Sequence, residues 1–101
     1  MKPVVWSDDA RRDYLTILGY IAQDNPDAAE RVVDVIEQTG NKLGEFATGR
    51  PGRVGGTYEK LVPRLPYILA YTIASQGGRE VVAILRVIHM ARDWREEDWP
   101  P

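Results

Sequence analysis

The spacing of the apolar residues changes once along this chain, and that change constrains the fold more than any other feature. Two stripes with the repeat of a helix come first. Their members are Tyr14, Ile17, Leu18 and Ile21, and then Ala29, Val32, Val33, Ile36, Gly40 and Leu43. Ser7 can cap the first helix. Asn25 can cap the second, and Pro26 fits its first turn. The sequence predicts a helical hairpin over residues 8–45, with a close approach to another element at Gly40.

From about residue 57 the apolar residues alternate or follow one another, as they do in strands. Three strands are predicted there, at Thr57–Val62, Tyr67–Ser75 and Glu80–Met90, with a further one at Pro3–Trp6 before the helices. The order β-α-α-β-β-β predicts an α+β domain over residues 1–101, in which the helical hairpin packs on one face of an antiparallel sheet. Its parts are a strand segment (1–7), the hairpin (8–45), a three-stranded meander (57–90) and a C-terminal tail (91–101).

Composition excludes several classes of protein. Cysteine is absent from the 101 residues, which rules out disulfides, thiolate metal sites and thiol nucleophiles. The single histidine supports neither a metal-ligand set nor a serine triad, and no cofactor is expected. The longest apolar runs have five residues, against about 20 for a membrane-spanning helix, and no signal peptide is visible. We therefore expect a cytoplasmic protein without membrane contact.

Charge is unevenly distributed in this chain, whose net charge is −2. Residues 50–92 hold seven basic residues and two acidic ones, Glu59 and Glu80. A basic region in a slightly acidic protein indicates a local surface for a polyanion or an acidic partner. General coating of nucleic acid is not indicated.

The connector over residues 49–56 is rich in glycine and contains Arg50 and Arg53. It lacks the Gly-Lys-Ser/Thr ending of a phosphate loop and runs into a predicted strand, so that no helix N-terminus is available to bind an anion. We interpret it as a flexible connector whose two arginines could point into a shared groove.

The last predicted strand carries two polar side chains among apolar ones. Alternation places Val87 and His89 on one face, and Ile84 and Arg86 on the other. His89, at the end of the strand, is compatible with a structural role or with acid–base chemistry. Arg86 interrupts an apolar face and needs a carboxylate partner, for which Glu59 on a neighbouring strand is the predicted candidate.

The order of the elements and several short motifs resemble the RelE/ParE superfamily of toxins from bacterial toxin–antitoxin modules. The motifs are the connector 49–54, the strand pair 61–71 and the closing segment Ile84–Trp94, so that the resemblance spans about Val4 to Trp94. It implies a helical hairpin on a curved sheet. It also implies a cognate antitoxin whose C-terminal segment wraps the toxin, which would give a hetero-oligomer.

This superfamily has two activities. The resemblance implies either a RelE-like enzyme, which cleaves mRNA on the ribosome without a metal, or a ParE-like toxin, which acts on DNA gyrase and blocks replication. If the chain is such a ribonuclease, its catalytic residues would be His89, Arg92, Arg53 and Lys60.

The chain departs from the nuclease pattern. Val62 and Met90 stand where basic residues are expected, and Trp94 lies near the usual terminal Tyr. Attack on a phosphate needs two or more clustered cations, and this set looks incomplete, so that a ParE-like binding poison of gyrase is favoured. The residues expected to bind its target are Arg50, Arg53, Lys60, Arg64, His89, Arg92 and Trp94. A third interpretation is a toxin-fold module that only titrates an antitoxin.

Overall fold

The structure is a computed structural model in which residues 1–91 are described. The elements are β1 (Val4–Trp6), α1 (Asp8–Ala22), α2 (Pro26–Lys42), β2 (Arg50–Pro51), β3 (Tyr58–Leu61), β4 (Tyr67–Gln76) and β5 (Arg79–His89). They follow the predicted order, with β2 as an addition. Most of the tail predicted over 91–101 lies outside the described residues.

The five strands form one sheet in the order β1-β5-β4-β3-β2. The predicted antiparallel meander of β3, β4 and β5 is present. At one edge, β2 pairs with β3, so that part of the segment interpreted as a connector is a short strand. At the other edge, β1 runs parallel to β5. The sheet is therefore mixed and not wholly antiparallel, because no hairpin joins β1 to β5 and fixes their relative direction. The predicted α+β class is confirmed.

Both predicted helix caps are present. The backbone N–H of Ala10 donates to Ser7 Oγ at 3.0 Å, and that of Ala28 donates to Asn25 Oδ1 at 3.1 Å. Each side chain satisfies a donor that the first helical turn leaves without a helical acceptor. None of the helices within residues 1–91 is long and apolar enough to cross a membrane.

The helices pack on one face of the sheet, chiefly α1 on β5 and α2 on α1. The core cluster comprises Ala10, Ile36, Leu43, Val62, Tyr67, Leu69, Tyr71, Val82, Ile84 and Val87. The close approach expected at Gly40 is confirmed. A methyl group there would lie 2.7 Å from Cδ1 of Ile84 and even closer to the indole ring of Trp6. Glycine thus lets α2 come close to β1 and β5.

One bulge interrupts the alternation predicted for β5. Ile84 and Arg86 pair with consecutive residues of β4, so that Leu85 has no partner there. As a result Ile84 and Val87 both lie in the helix-covered core. The prediction that they lie on opposite faces was wrong for this reason.

The bulge lies where β5 loses β1 as its neighbour. Just beyond β1, Ser7 donates from its backbone N–H to the Ile84 carbonyl and from its hydroxyl to the Leu85 carbonyl, both at 2.9 Å. One turn and a half farther along the chain, Asp13 accepts from the backbone N–H of Val87 at 2.9 Å. The start of α1 therefore makes the hydrogen bonds that a neighbouring strand would otherwise provide.

Arg86 pairs with Asp13, and the prediction that it pairs with Glu59 was wrong. Its Nε and Nη2 lie 2.8 and 3.1 Å from the two carboxylate oxygens of Asp13. These side chains are 16% and 17% exposed. Glu59 stands in the same row across the sheet, but Ala70 of β4 lies between it and Arg86. Two strand spacings of about 4.8 Å each separate their backbones, whereas α1 brings Asp13 directly to the edge of β5.

Replacing Gly40 should destabilise the protein. Gly40→Ala is expected to lower the free energy of unfolding by about 1–3 kcal/mol, because the added methyl group overpacks the contact with Trp6 and Ile84. Urea unfolding followed by circular dichroism measures the change.

Gly19→Ala is the matched control, because Gly19 also lies within a helix and nothing outside that helix's own backbone lies within 4 Å of a methyl group there. Because alanine has a higher helix propensity than glycine, Gly19→Ala should raise the free energy of unfolding by up to about 1 kcal/mol. A Gly40→Ala protein as stable as the Gly19→Ala protein would contradict the close packing of α2.

Candidate functional site

The structure separates the residues that the sequence predicts to bind a target. Those within residues 1–91 lie in three places: Arg50 and Arg53 beside β3, Lys60 on the opposite face of the sheet, and Arg64 with His89 at one end of it. Arg92 and Trp94 lie outside the described residues. The described cations therefore do not form a single cluster.

Glu59 is a buried carboxylate that binds both arginines of the connector. Its Oε2 accepts from the backbone N–H of Arg53 at 3.0 Å and from Nε of the same residue at 3.1 Å. Its Oε1 lies 3.4 Å from Nη2 of Arg50, and its side chain is 4% exposed. Burial raises the pKa of Glu59, but the hydrogen bonds from Arg53 and the two guanidinium charges outweigh burial, so that the pKa lies below its ordinary value. An ionised Glu59 thus offsets part of the connector's positive charge.

The connector that carries these arginines is fixed to the sheet on both sides of them. Gly49, just before β2, has a φ of +134°, and a methyl group there would lie 2.6 Å from the carbonyl oxygen of Glu59. Only glycine fits this position. At the far end of the connector, the hydroxyl of Thr72 on β4 donates to the Gly56 carbonyl at 2.8 Å. The loop therefore lies over the face of the sheet opposite to the helices.

Lys60 lies on the helical side of the sheet, at a groove of about 580 Å³ between α2, the loop after it and β3. We call this the α2–β3 groove. Its apolar lining includes Val35, Leu43, Phe46 and Pro63, and its charged lining is Lys42, Glu45 and Lys60. Nζ of Lys60 donates to Thr48 Oγ1 at 2.8 Å.

The loop beside this groove is anchored by a second hydrogen bond. The hydroxyl of Tyr71, in the core, donates to the Thr48 carbonyl at 2.7 Å. Burial, and to a smaller extent the neighbouring Tyr58, raises the pKa of Tyr71, so that its hydroxyl remains a donor at neutral pH. Thr48 is thus held from β3 and from β4, which fixes one wall of the α2–β3 groove.

His89 lies at the end of β5, beside a second groove of about 490 Å³ between α1 and strands β4 and β5. Its ring lies 5.4 Å from that of Tyr67, with the two planes nearly perpendicular. Its Nδ1 accepts from the backbone N–H of Ala91 at 3.1 Å. Burial, with Tyr20 as a second cause, raises the pKa of Tyr67. His89 is thus held by an aromatic contact and a backbone hydrogen bond.

Arg64 lies in the turn between β3 and β4, at the same end of the sheet as His89. Its φ is +64°, a conformation that costs an L-residue roughly 1–2 kcal/mol. The residue is exposed, and Pro63 precedes it. Because strained residues concentrate at functional positions, this turn is a candidate contact with a partner.

Within residues 1–91, no group of three or more His, Asp or Glu side chains could hold a metal ion. The exposed guanidinium and ammonium groups can pair with carboxylates or phosphates of a macromolecule. The described residues thus form a dispersed cationic surface.

Two residues of structural or surface importance were not singled out from the sequence. Asp13 lies one turn before Ile17 on the apolar stripe of α1, and a carboxylate on such a stripe is itself a signal for a buried partner. Phe46 is 74% exposed, although it is the type of residue that usually enters a core. No local pattern marks Phe46, because its exposure depends on how α2 sits above β3.

The chain is similar to toxins of bacterial toxin–antitoxin systems. A family model described as the ParE toxin of the type II toxin–antitoxin system parDE matches residues 4–94. The chain is 39% identical to the Y4kP protein of Sinorhizobium fredii over 94 residues, which are 92% of this chain and 93% of that protein. It is 33% identical to toxin RelE2 of Caulobacter vibrioides over 93 residues, or 91% and 99% of the two chains.

Solved structures show the same fold. A chain from the chromosomal ParDE system of P. aeruginosa matches with a TM-score of 0.80 at 22% identity, over 88% of this chain and 96% of that one. A chain of the RelBE2 toxin–antitoxin complex of Mycobacterium tuberculosis matches with a TM-score of 0.55 at 28% identity, over 90% and 93%.

The charge of Glu59 should stabilise the fold in a pH-dependent way. Glu59→Gln is expected to lower the free energy of unfolding by about 1–3 kcal/mol at pH 7, because charge-assisted hydrogen bonds to a buried group are weakened. The folded-state pKa of Glu59 lies below its ordinary value of 4.5. The stabilisation is therefore present above pH 4.5 and is lost as the pH falls through the folded-state pKa. Urea unfolding at several pH values measures this difference.

Glu80→Gln is the control for this experiment, because the Glu80 side chain is 68% exposed and lies 4.0 Å from Lys2. Its effect should stay below about 0.5 kcal/mol. If the loss caused by Glu59→Gln at pH 3 equals that at pH 7, the ionised carboxylate is not the cause.

Proposed function

Because the chain belongs to the ParE family of toxins from type II toxin–antitoxin systems, we propose that it inhibits DNA gyrase and is held inactive by a cognate antitoxin. In this function the chain binds gyrase, stabilises the state in which the DNA is cleaved, and so blocks replication. It performs no chemistry of its own. The C-terminal segment of the antitoxin wraps the toxin and neutralises it.

The separation of the described cations is the observation that carries this proposal. Transfer of a phosphoryl group requires positive charge concentrated at the scissile phosphate. Arg53 instead converges with Arg50 on the buried Glu59, and Lys60 points to the other face of the sheet. His89 contacts Tyr67 at the end of β5. Three of the four residues expected in a ribonuclease thus lie apart, and the fourth, Arg92, is outside the described residues.

A binding toxin has a different requirement, since it needs exposed groups in fixed positions over a broad surface. Arg64 meets this requirement, because its turn is fixed between β3 and β4 and its side chain is exposed. Arg50 also presents a side chain that is 63% exposed, although Glu59 holds it. Positive groups of this kind suit a target that consists of protein with bound DNA.

A gyrase assay with the purified chain tests this function. We expect the chain, added in a stoichiometric amount relative to gyrase, to stop supercoiling and to cause cleaved DNA to accumulate. In a parallel primer-extension assay, translated mRNA should stay intact. Unaffected supercoiling would contradict the proposal. Cuts in the ribosomal A site that disappear in His89→Ala would instead indicate the RelE-like ribonuclease, and normal growth of cells that produce the chain would indicate a module that only titrates an antitoxin.

The turn between β3 and β4 should contribute to gyrase inhibition. Arg64→Gly is expected to raise the concentration required for half-inhibition at least about fivefold, as for a moderate contact at an interface. The same change removes the strain of the positive φ and should leave the free energy of unfolding unchanged or raise it by up to about 1 kcal/mol. The assays are supercoiling inhibition and urea unfolding.

Arg79→Gln is a suitable comparison, because Arg79 is an exposed arginine at the start of β5, at the other end of the sheet. It should inhibit gyrase within about twofold of the unmodified chain. Equal inhibition by the Arg64→Gly and unmodified proteins would remove this turn from the target-binding surface.

A further inference from the structure

The two helices cover the sheet unevenly. α1 packs on β5, whereas α2 packs chiefly on α1. The part of the helical face that belongs to β3 therefore borders the open α2–β3 groove, about 580 Å³ in volume. This groove is not a gap in the core, because Leu43 beneath it is 1% exposed. It is a depression in the surface, and the core beneath it is closed.

The lining of this groove includes three apolar side chains and one exposed aromatic ring. Val35 contributes from α2, Leu43 from the C-cap position just after it, and Pro63 from the β3–β4 turn. Phe46, in the loop after α2, lines the groove with 74% of its surface exposed. An exposed aromatic residue beside an apolar groove is typical of an anchor at a protein interface.

The charged residues of the groove give it a net positive rim. Two lysines, Lys42 and Lys60, line the groove, whereas Glu45 is the single acidic residue in its lining. The hydrogen bond from Lys60 Nζ to Thr48 Oγ1, at 2.8 Å, holds the ammonium group at the groove, and two of its three N–H donors remain for other acceptors. The chemistry that fits this groove is therefore an apolar side chain with a carboxylate close to it.

We propose that the α2–β3 groove binds an amphipathic segment of the cognate antitoxin, with an apolar side chain packed beside Leu43 and Phe46 and a carboxylate paired with Lys60. This placement rests on the proposed function in one respect, namely that an antitoxin neutralises the chain. The partner is identified by charge complementarity: a segment carrying Asp or Glu next to Leu, Ile, Val or Phe would satisfy both parts of the groove.

A second copy of the chain fits this groove poorly. In a symmetric dimer the same patch meets itself, so that four lysine ammonium groups would meet only two carboxylates, those of Glu45 in each copy. A stable dimer also buries about 1,200–2,000 Å² in total, more than a groove holding a few side chains offers. A segment that wraps several surfaces in turn can use a small groove as one anchor among several.

Binding of the antitoxin to groove variants tests the placement. The probe is the protein encoded by the reading frame adjoining that of this chain, purified and titrated calorimetrically into the chain. We expect Phe46→Ser and Lys60→Glu each to weaken binding at least about tenfold, which is the effect of losing one anchor contact. Circular dichroism and urea unfolding verify that the variants fold as the unmodified chain does.

Two controls match these variants in residue type and exposure. Tyr20→Ser removes an aromatic residue that is 76% exposed on α1, and Arg79→Glu reverses an exposed charge at the start of β5. Both should bind the probe within about twofold of the unmodified chain. Controls that weaken binding as strongly as the groove variants would overturn the placement, and so would groove variants that bind normally.

The remaining outcomes separate this placement from the proposed function. Because calorimetry measures the complex and not toxicity, a chain that fails to inhibit gyrase would overturn the proposed function and leave the binding result intact. Groove variants that lose gyrase inhibition but bind the probe normally would assign the groove to the target and overturn its antitoxin role.

Sedimentation that shows a dimer of the chain disrupted by Phe46→Ser, with normal probe binding, would assign the groove to a second copy. A probe that does not bind even the unmodified chain would overturn the placement.

Discussion

One edge of β5 has two successive neighbours, and the rest of the structure depends on the transition between them. β1 pairs with it as far as Ile84, and the polar groups at the start of α1 then take over. Ser7 satisfies two carbonyl groups of β5, and Asp13 satisfies the N–H of Val87 while it binds Arg86. An unsatisfied, partly buried backbone group is costly, so that this junction fixes both the position of α1 and the bulge.

The position of α1 determines which surfaces remain open. Because α1 lies over β5 and α2 packs on α1, the helical layer leaves the β3 side of the sheet free for the α2–β3 groove. On the other face, the connector brings two arginines onto Glu59. Phe46 and Lys60 therefore lie at this groove, and Arg50 and Arg53 lie on the opposite face of the sheet. This distribution is compatible with the binding function that we propose.

The sequence was sufficient to predict both helices and four of the five strands, all but β2, because their signals are local. The cap at Ser7 and the glycine at Gly40 depend only on helical spacing, and each has the predicted role. The prediction that Arg86 pairs with Glu59 failed because it assumed unbroken alternation and considered only neighbouring strands. The bulge at Leu85 and the approach of α1 are tertiary features, and no local pattern encodes them.

The candidate site was less predictable than the fold for the same reason. Residue types marked Arg50 and Arg53 as cations, but their convergence on Glu59 follows from the pairing of β2 with β3. The α2–β3 groove depends on the angle at which two layers meet, so that no local pattern predicted the exposure of Phe46. Whether the described cations contact a target stays a prediction.

The identity of the target is the central claim, and mapping of gyrase-linked DNA ends in cells tests it most directly. DNA fragments covalently attached to gyrase would be recovered from cells producing the chain without its antitoxin and sequenced, together with the 3′ ends of their mRNA. The account predicts that gyrase-linked ends accumulate many-fold while mRNA ends stay unchanged. Unaltered gyrase-linked ends, with new mRNA ends at codon positions, would contradict it.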